Sequence, residues 1–161
     1  MRLTHDEYFL VLAKVASLRS TCKSRQVGAV LVDWNKHVLA TGYNGPAQGT
    51  KHCEPCKRLG QASGDHLDDC MAVHAEQNAL LQCKDTKQIH TIYLTNSPCL
   101  TCLKMLLNTS CDRIVFLDFY SSEYSQQLWV ASGRIWDGIL YDLTDMTRLE
   151  TATKGLFNVR K

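Results

Sequence analysis

His74-Ala75-Glu76-Gln77-Asn78-Ala79-Leu80-Leu81-Gln82-Cys83, then Thr91-Ile92-Tyr93-Leu94-Thr95, then Pro98-Cys99-Leu100-Thr101-Cys102 running on to Leu107, then Arg113-Ile114-Val115-Phe116-Leu117: these four stretches decide the fold. The first and third read as helices, over His74 to about Cys83 and Cys99 to about Leu107. The second and fourth are short, apolar and rich in β-branched and aromatic residues, as strands are. Strands alternating with helices in this order imply an α/β sandwich with a partly parallel central sheet.

Upstream, Val27 to Val32 is a short apolar run suited to a buried strand, and Val38 to Tyr43 reads as its hairpin partner across an Asp33-Trp34-Asn35-Lys36 turn. Asn44-Gly45-Pro46 ends that strand. Leu3 to about Leu18 carries apolar residues at helical spacing, and Thr4 followed by Glu7 makes a capping box. Ala47 to Asp69 has no periodicity and is rich in Gly, Cys, His and charge. A loop of that length inside a compact domain has a function or an internal staple. Downstream, Glu123 to Ala131 reads as a helix, Ile139 to Leu143 as a short strand and Asp145 to Thr153 as a final helix.

The chain has 161 residues, 45% hydrophobic and 21% charged, with a formal charge of +2. That composition fits a single soluble domain over residues 1–161. The charge is too small to argue for a nucleic-acid binder, and no nucleic-acid or membrane partner is expected. The opening Met1-Arg2-Leu3-Thr4-His5-Asp6-Glu7 lacks the apolar stretch of a secretory signal, and no apolar run is long enough to span a membrane. The expectation is a cytoplasmic, reducing location. There the eight cysteines are thiols rather than disulfides. Cys53-x-x-Cys56 and Cys99-x-x-Cys102 point to metal, whereas Cys83 and Cys111 lie in apolar stretches and read as small core residues.

His74, Cys99 and Cys102 give zinc one imidazole and two thiolates and leave the fourth tetrahedral position open, the arrangement of a catalytic site. Cys99 and Cys102 sit at the start of a helix, whose positive end favours thiolate. Residues two apart on an ideal helix point roughly 200° apart. His74 and Glu76 therefore serve one pocket only if the motif lies at the helix entrance. Glu76 then reaches the water without ligating zinc. Water bound to zinc has its pKa lowered from about 15.7 to about 7. Glu76 is the expected general base and acid, taking the water's proton and returning protons to a ring nitrogen and a leaving amine.

At this point the chain resembles the zinc-dependent cytidine and deoxycytidylate deaminase superfamily, whose signature is H-x-E followed by P-C-x-x-C. Further blocks are similar to the phage and bacterial deoxycytidylate (dCMP) deaminase branch: Arg19-Ser20-Thr21-Cys22, Val27-Gly28-Ala29-Val30, Thr41-Gly42-Tyr43-Asn44-Gly45, His74 to Ala79, and Ile92-Tyr93-Leu94-Thr95. The resemblance runs from about Arg19 to Tyr120. It implies a three-layer α/β/α sandwich with a five-stranded mixed sheet, homo-oligomers (often hexamers), and hydrolysis of dCMP to dUMP for thymidylate synthesis. It also implies that Asn44 holds the sugar or base, that the backbone around Thr95 lines the base pocket, and that Tyr120 lies near the phosphate.

Family members are often activated by dCTP and inhibited by dTTP, with Mg2+ bridging the effector phosphates. Leu81-Gln82-Cys83-Lys84-Asp85 lacks the arginine that related phage enzymes place near this point, so regulation here is a hypothesis. Some relatives bind a second zinc through a cysteine before the first strand and one in the long loop, which match Cys22 and Cys53. His66 and Cys70 complete that set, with Cys56 as the competing ligand, so that residues 47–73 form a zinc-stapled insertion loop.

Two other readings compete. A deaminase of another base (tRNA adenosine, guanine or a free cytosine nucleoside) shares the zinc motif, but a tRNA enzyme should show a markedly basic face, and the charge of +2 and the absence of Lys/Arg runs weaken that case. A non-catalytic zinc-stapled binding module explains the loop cysteines but leaves Glu76 idle. Arg25, Lys51, Lys57, Arg58 and residues of a neighbouring subunit all remain candidates for the cation that meets a 5′-phosphate.

Overall fold

The computed structural model describes residues 2–61, 69–120 and 123–138. Helix α1 (His5–Ser17) starts at Thr4. The Glu7 amide donates to Thr4 Oγ1 at 3.2 Å and the Thr4 amide to Glu7 Oε2 at 2.6 Å, the expected capping box. The strands are β1 (Gly28–Val32), β2 (Val38–Tyr43), β3 (Gly45–Pro46), β4 (Ala72–Val73), β5 (Thr91–Asn96), β6 (Arg113–Asp118) and β7 (Ile135–Gly138). The other helices are α2 (Ala75–Gln82), α3 (Leu100–Leu107) and α4 (Glu123–Ala131).

Five strands form one mixed sheet in the order β2-β1-β5-β6-β7. β1 is antiparallel to β2 and β5, whereas β5, β6 and β7 run parallel. Because strand side chains alternate between faces, each buried strand supplies two cores. Ala29, Leu31, Ile92, Leu94, Ile114 and Phe116 meet Ala75, Ala79, Leu80, Leu103, Leu106 and Trp129 from α2, α3 and α4. Val30, Val32, Tyr93 and Val115 meet Phe9, Leu10 and Ala13 of α1. The result is the expected three-layer α/β/α sandwich with a five-stranded mixed sheet. Covering both faces explains why these strands read as unbroken apolar runs.

Two glycines set how closely the helices lie. A Cβ on Gly28 would collide with the Ala13 carbonyl oxygen and the Ser17 amide of α1, and one on Gly42 with the Ala75 carbonyl oxygen and the Ala79 amide of α2. α2 therefore rests directly on the β2 backbone. Asn78 adds a hydrogen bond from Nδ2 to the Tyr43 carbonyl at 2.7 Å. At the sheet's other side, Arg113 grips Asp6 with two bonds of 2.8 Å and reaches Asp137 at 2.6 Å, while Tyr93 donates to Asp6 at 2.7 Å. Burial opposes ionisation of Asp6, but the bonds from Arg113 and Tyr93 outweigh it and hold the carboxyl below its ordinary value.

One expectation needs correction, and one strand had not been expected. Gly45-Pro46 does not simply end β2; it pairs with Ala72–Val73 in a second, two-stranded sheet. Among the described residues the last strand of the main sheet is Ile135–Gly138, paired with β6. The expected strand at 139–143 and helix at 145–153 lie outside the described residues. No described helix is long and apolar enough to cross a membrane.

Candidate functional site

The site is built where α2 and α3 begin. His74 is the N-cap of α2 and Cys99 the N-cap of α3, both with extended backbone. The short β3–β4 pair brings the chain into α2, and the His74 amide donates to Gln77 Oε1 at 2.8 Å, fixing the entrance. His74 thus stands outside the helical projection, which lets it share a pocket with Glu76.

His74 Nδ1 lies 3.4 Å from the Sγ of Cys99 and 3.4 Å from that of Cys102. All three donor atoms fall within 4.8 Å of one another, the one such group of His, Cys, Asp or Glu side chains among the described residues. Zinc bound tetrahedrally, with N at about 2.1 Å and S at about 2.3 Å, separates them by about 3.6 Å. The donor set and its spacing therefore fit zinc. Cys99 is pulled down to about 4 by a hydrogen bond from Cys102 and another from His74, against burial that opposes charge. Cys102, fully buried, is pushed up by donating to Cys99, by desolvation and by Glu76. Metal binding has to remove that thiol proton.

Glu76 is 4% exposed. Burial raises its carboxyl to about 7, the largest influence on it. The residue sits beside Cys102 and faces the same cavity as His74 and Cys99.

That cavity has a volume of about 490 Å³. Its lining includes the buried Ala75 and Glu76, the half-buried His74 and Cys99, and the exposed Arg25, Lys51 and Lys57. Asn44 lines it, but its amide is mostly engaged with protein. Oδ1 accepts from Ser20 Oγ at 2.7 Å and from the Val27 amide at 2.8 Å, and Nδ2 donates to the Arg25 carbonyl at 2.8 Å. Tyr120 lines the cavity too, beneath the Arg25 guanidinium, which sits 4.8 Å from its ring centroid. Arg58 hydrogen-bonds the side chains of Tyr120 and Cys70.

Thr95 is placed differently from the other expected substrate residues. Its hydroxyl accepts from the Gly28 amide at 3.2 Å, and the next residues of the same backbone segment, Asn96 and Ser97, line the cavity. Ser97 had no motif to mark it. Its Oγ donates to the Tyr120 carbonyl at 2.9 Å and accepts from the Tyr120 amide at 2.7 Å, joining the ends of β5 and β6. The signal was available in strand parity: Leu94 faces α2 and α3, so Asn96 does as well.

Cys22, Cys53, Cys56 and Cys70 all line the cavity. No three of them bring sulfurs within 4.8 Å of one another. His66 lies outside the described residues. The four cations named as phosphate candidates, Arg25, Lys51, Lys57 and Arg58, all face the cavity.

Fold and donor set together define an α/β protein with a three-ligand metal site beside a buried carboxyl group. The chain belongs to the family described as the cytidine and deoxycytidylate deaminase zinc-binding region, whose model matches residues 3–118. It is 37% identical over 139 residues to a deoxycytidylate deaminase of Schizosaccharomyces pombe, covering 82% of this chain and 43% of that protein. It is 39% identical over 119 residues to a deoxycytidylate deaminase of Mycobacterium phage D29, covering 69% of this chain and 92% of that one. Among solved structures, the dCMP deaminase of cyanophage S-TIM5 in complex with dCMP and dUMP superposes with a TM-score of 0.70 at 28% identity, covering 86% of this chain and 99% of that one. The chain thus spans less than half of the yeast relative and nearly all of the phage ones.

Proposed function

We propose that this chain hydrolyses dCMP to dUMP and ammonia. The observation that carries the reading is the buried Glu76 beside the His74, Cys99 and Cys102 donors, on a cavity that is also lined by the cations Arg25, Lys51, Lys57 and Arg58. Zinc held by His74 Nδ1 and the sulfurs of Cys99 and Cys102 supplies a Lewis acid that makes water a nucleophile at neutral pH. Glu76 takes a proton from the attacking water and passes protons to N3 of the cytosine and to the departing amine. Its burial keeps bulk water from competing for those transfers. Ala72 and Ala75 line the same cavity, and the cations that line it suit a 5′-monophosphate. The printed names of the S. pombe and phage D29 relatives support dCMP as the substrate class.

In the same reading residues 1–161 are one deaminase domain, with 47–73 an insertion loop stapled by a second zinc. Cys22, Cys53, His66 and Cys70 hold that zinc, with Cys56 as the competing ligand. The support is that all four cysteines face one cavity. Hexamers, control by dCTP and dTTP with Mg2+, and a cytoplasmic setting rest on the family resemblance.

The test is ammonia release from dCMP, dCTP, deoxycytidine and cytosine in parallel, using zinc-loaded protein. Preferred turnover of dCMP supports the reading. Turnover of another compound in its place, or of none, rejects it.

A further inference from the structure

Both sulfur donors of the site stand at the start of α3, a helix of only 8 residues, so whatever holds its far end bears on where they sit. Cys99 is the N-cap and Cys102 lies in the first turn. Backbone bonds run along an α-helix in columns, each N–H donating to the carbonyl four residues back. The Leu103 amide donates to the Cys99 carbonyl at 2.9 Å, and that column continues from Leu103 to Leu107. The adjacent column runs from Cys102 to Leu106. The columns that begin at the two cysteines therefore end on the carbonyls of Leu106 and Leu107.

One guanidinium meets both ends. Gly133, with φ of 79°, ends α4 and turns the chain into β7 through Arg134. Arg134 donates from Nη1 to the Leu106 carbonyl at 3.2 Å and from Nη2 to the Leu107 carbonyl at 3.0 Å, with a longer bond to the Thr109 carbonyl at 3.4 Å. Thr109 shares the Leu106 carbonyl, through its amide at 3.0 Å and its hydroxyl at 2.7 Å. Among the described residues, only Arg134 donates to that of Leu107. The guanidinium is itself held, 5.0 Å from the ring centroid of Trp129, which is fully buried and donates from Nε1 to the Ile135 carbonyl at 2.9 Å. A planar fork takes neighbouring carbonyls at once, as a single ammonium does not, and its charge suits the negative end of a helix. Arg134 is not among the residues that line the cavity, so any effect it has on the site passes through α3.

We infer that Arg134 is a positioning residue for the metal site: it clamps the C-terminal end of α3 and thereby sets where Cys99 and Cys102 stand against His74. This rests on the zinc-site reading proposed above. His74 comes from α2, so the clamp governs two of the three donors and leaves the third in place. Releasing it lets a two-turn helix tilt or slide against the sheet, and metal–donor distances tolerate only about 0.2 Å of error.

Zinc affinity, measured by chelator competition, tests it in Arg134→Met, Arg134→Lys and Asp6→Asn. All are compared in a Cys53→Ser background, so that the proposed loop zinc does not enter. Arg134→Met keeps an apolar stem over Trp129 and removes the donors. It should weaken zinc binding roughly 10-fold, the lower end of what lost outer-shell support costs, and should shift the visible absorption of the cobalt(II)-loaded protein, which reports the sulfur geometry. At saturating zinc, kcat on dCMP should fall roughly 3–10-fold with KM within about 2-fold, because the cavity lining is untouched. Arg134→Lys, with one donor group in place of a fork, should lie between Arg134→Met and the background protein. Asp6→Asn acts on α1, across the sheet, and should lower Tm while leaving zinc affinity and the cobalt spectrum unchanged. Unaltered zinc affinity in both Arg134 variants overturns the inference, as does equal weakening in Asp6→Asn at a matched loss of Tm. Should Arg134→Met not fold, the zinc affinity of Arg134→Lys decides alone. Background protein that binds no metal rejects the zinc-site reading, and metal-loaded protein inert on dCMP rejects the proposed function, each a distinct result.

Discussion

Replacing Gly42 with alanine should damage the site from a distance, and the structure gives the size of the effect. The new Cβ would lie 2.5 Å from the Ala79 amide nitrogen and closer still to the Ala75 carbonyl oxygen, both backbone atoms of α2. Ordinary contact needs about 3.5 Å, so α2 has to retreat by about 1 Å. Overpacking of this kind costs about 1–3 kcal/mol, or roughly 3–10 °C in Tm for a chain of this length. The same shift carries His74 away from Cys99 and Cys102, to which Nδ1 now stands at 3.4 Å. A misplacement of about 1 Å in a reacting site can cost on the order of 100-fold in rate. Gly28→Ala is the matched control. Its Cβ would strike α1 on the opposite face of the sheet, so it should lower Tm comparably while leaving zinc binding intact. The assay pairs differential scanning calorimetry with zinc content and dCMP turnover per folded molecule. Equal zinc content and turnover in both variants would refute the reasoning, because α2 would then not transmit the clash to the site.

Other outcomes follow from the same geometry. Asp6→Asn should destabilise the fold by about 1–3 kcal/mol near neutral pH, because the Arg113 pair it breaks has side chains only 21% and 29% exposed. The Asp6 carboxyl titrates below its ordinary 3.8, so its contribution is complete above that value and is lost as pH falls through the lowered one. Urea melts of both proteins should differ at pH 7 and converge in strong acid; a gap that persists there would contradict the assignment. Cys102→Ser removes a fully buried donor and should lower zinc affinity by at least 10-fold in a chelator competition titration. Elemental analysis of freshly purified protein should find two zinc ions per chain, falling to one in Cys53→Ser, and one in the parent would remove the second site.

Much of this was legible in the sequence because burial on both faces leaves a direct trace. The runs at 28–32, 91–95 and 113–117 are apolar since each strand meets α1 on one side and α2, α3 or α4 on the other. His74 and Glu76 could share a pocket only at a helix entrance, and the N-cap of α2 is where His74 stands. Other features left weaker traces. β3 and β4 are two residues each, too short for alternation to register. β7 is a partly exposed strand containing Asp137 and Gly138, and its polarity disguised it. Beside Thr95, Asn96 and Ser97 line the cavity, and no motif marked either of them. The anchoring of Arg25 joins residues 19 and 95 positions apart in sequence, a relation that no local pattern records.

The most direct measurement is ammonia release from dCMP by zinc-loaded protein, compared with Glu76→Gln carrying the same zinc content. The account predicts steady turnover by the parent chain and a loss of roughly 100-fold or more in kcat for the variant, with zinc retained. Undiminished turnover in Glu76→Gln would contradict the assignment of Glu76 as the proton carrier, and no turnover of dCMP by the parent would contradict the proposed function.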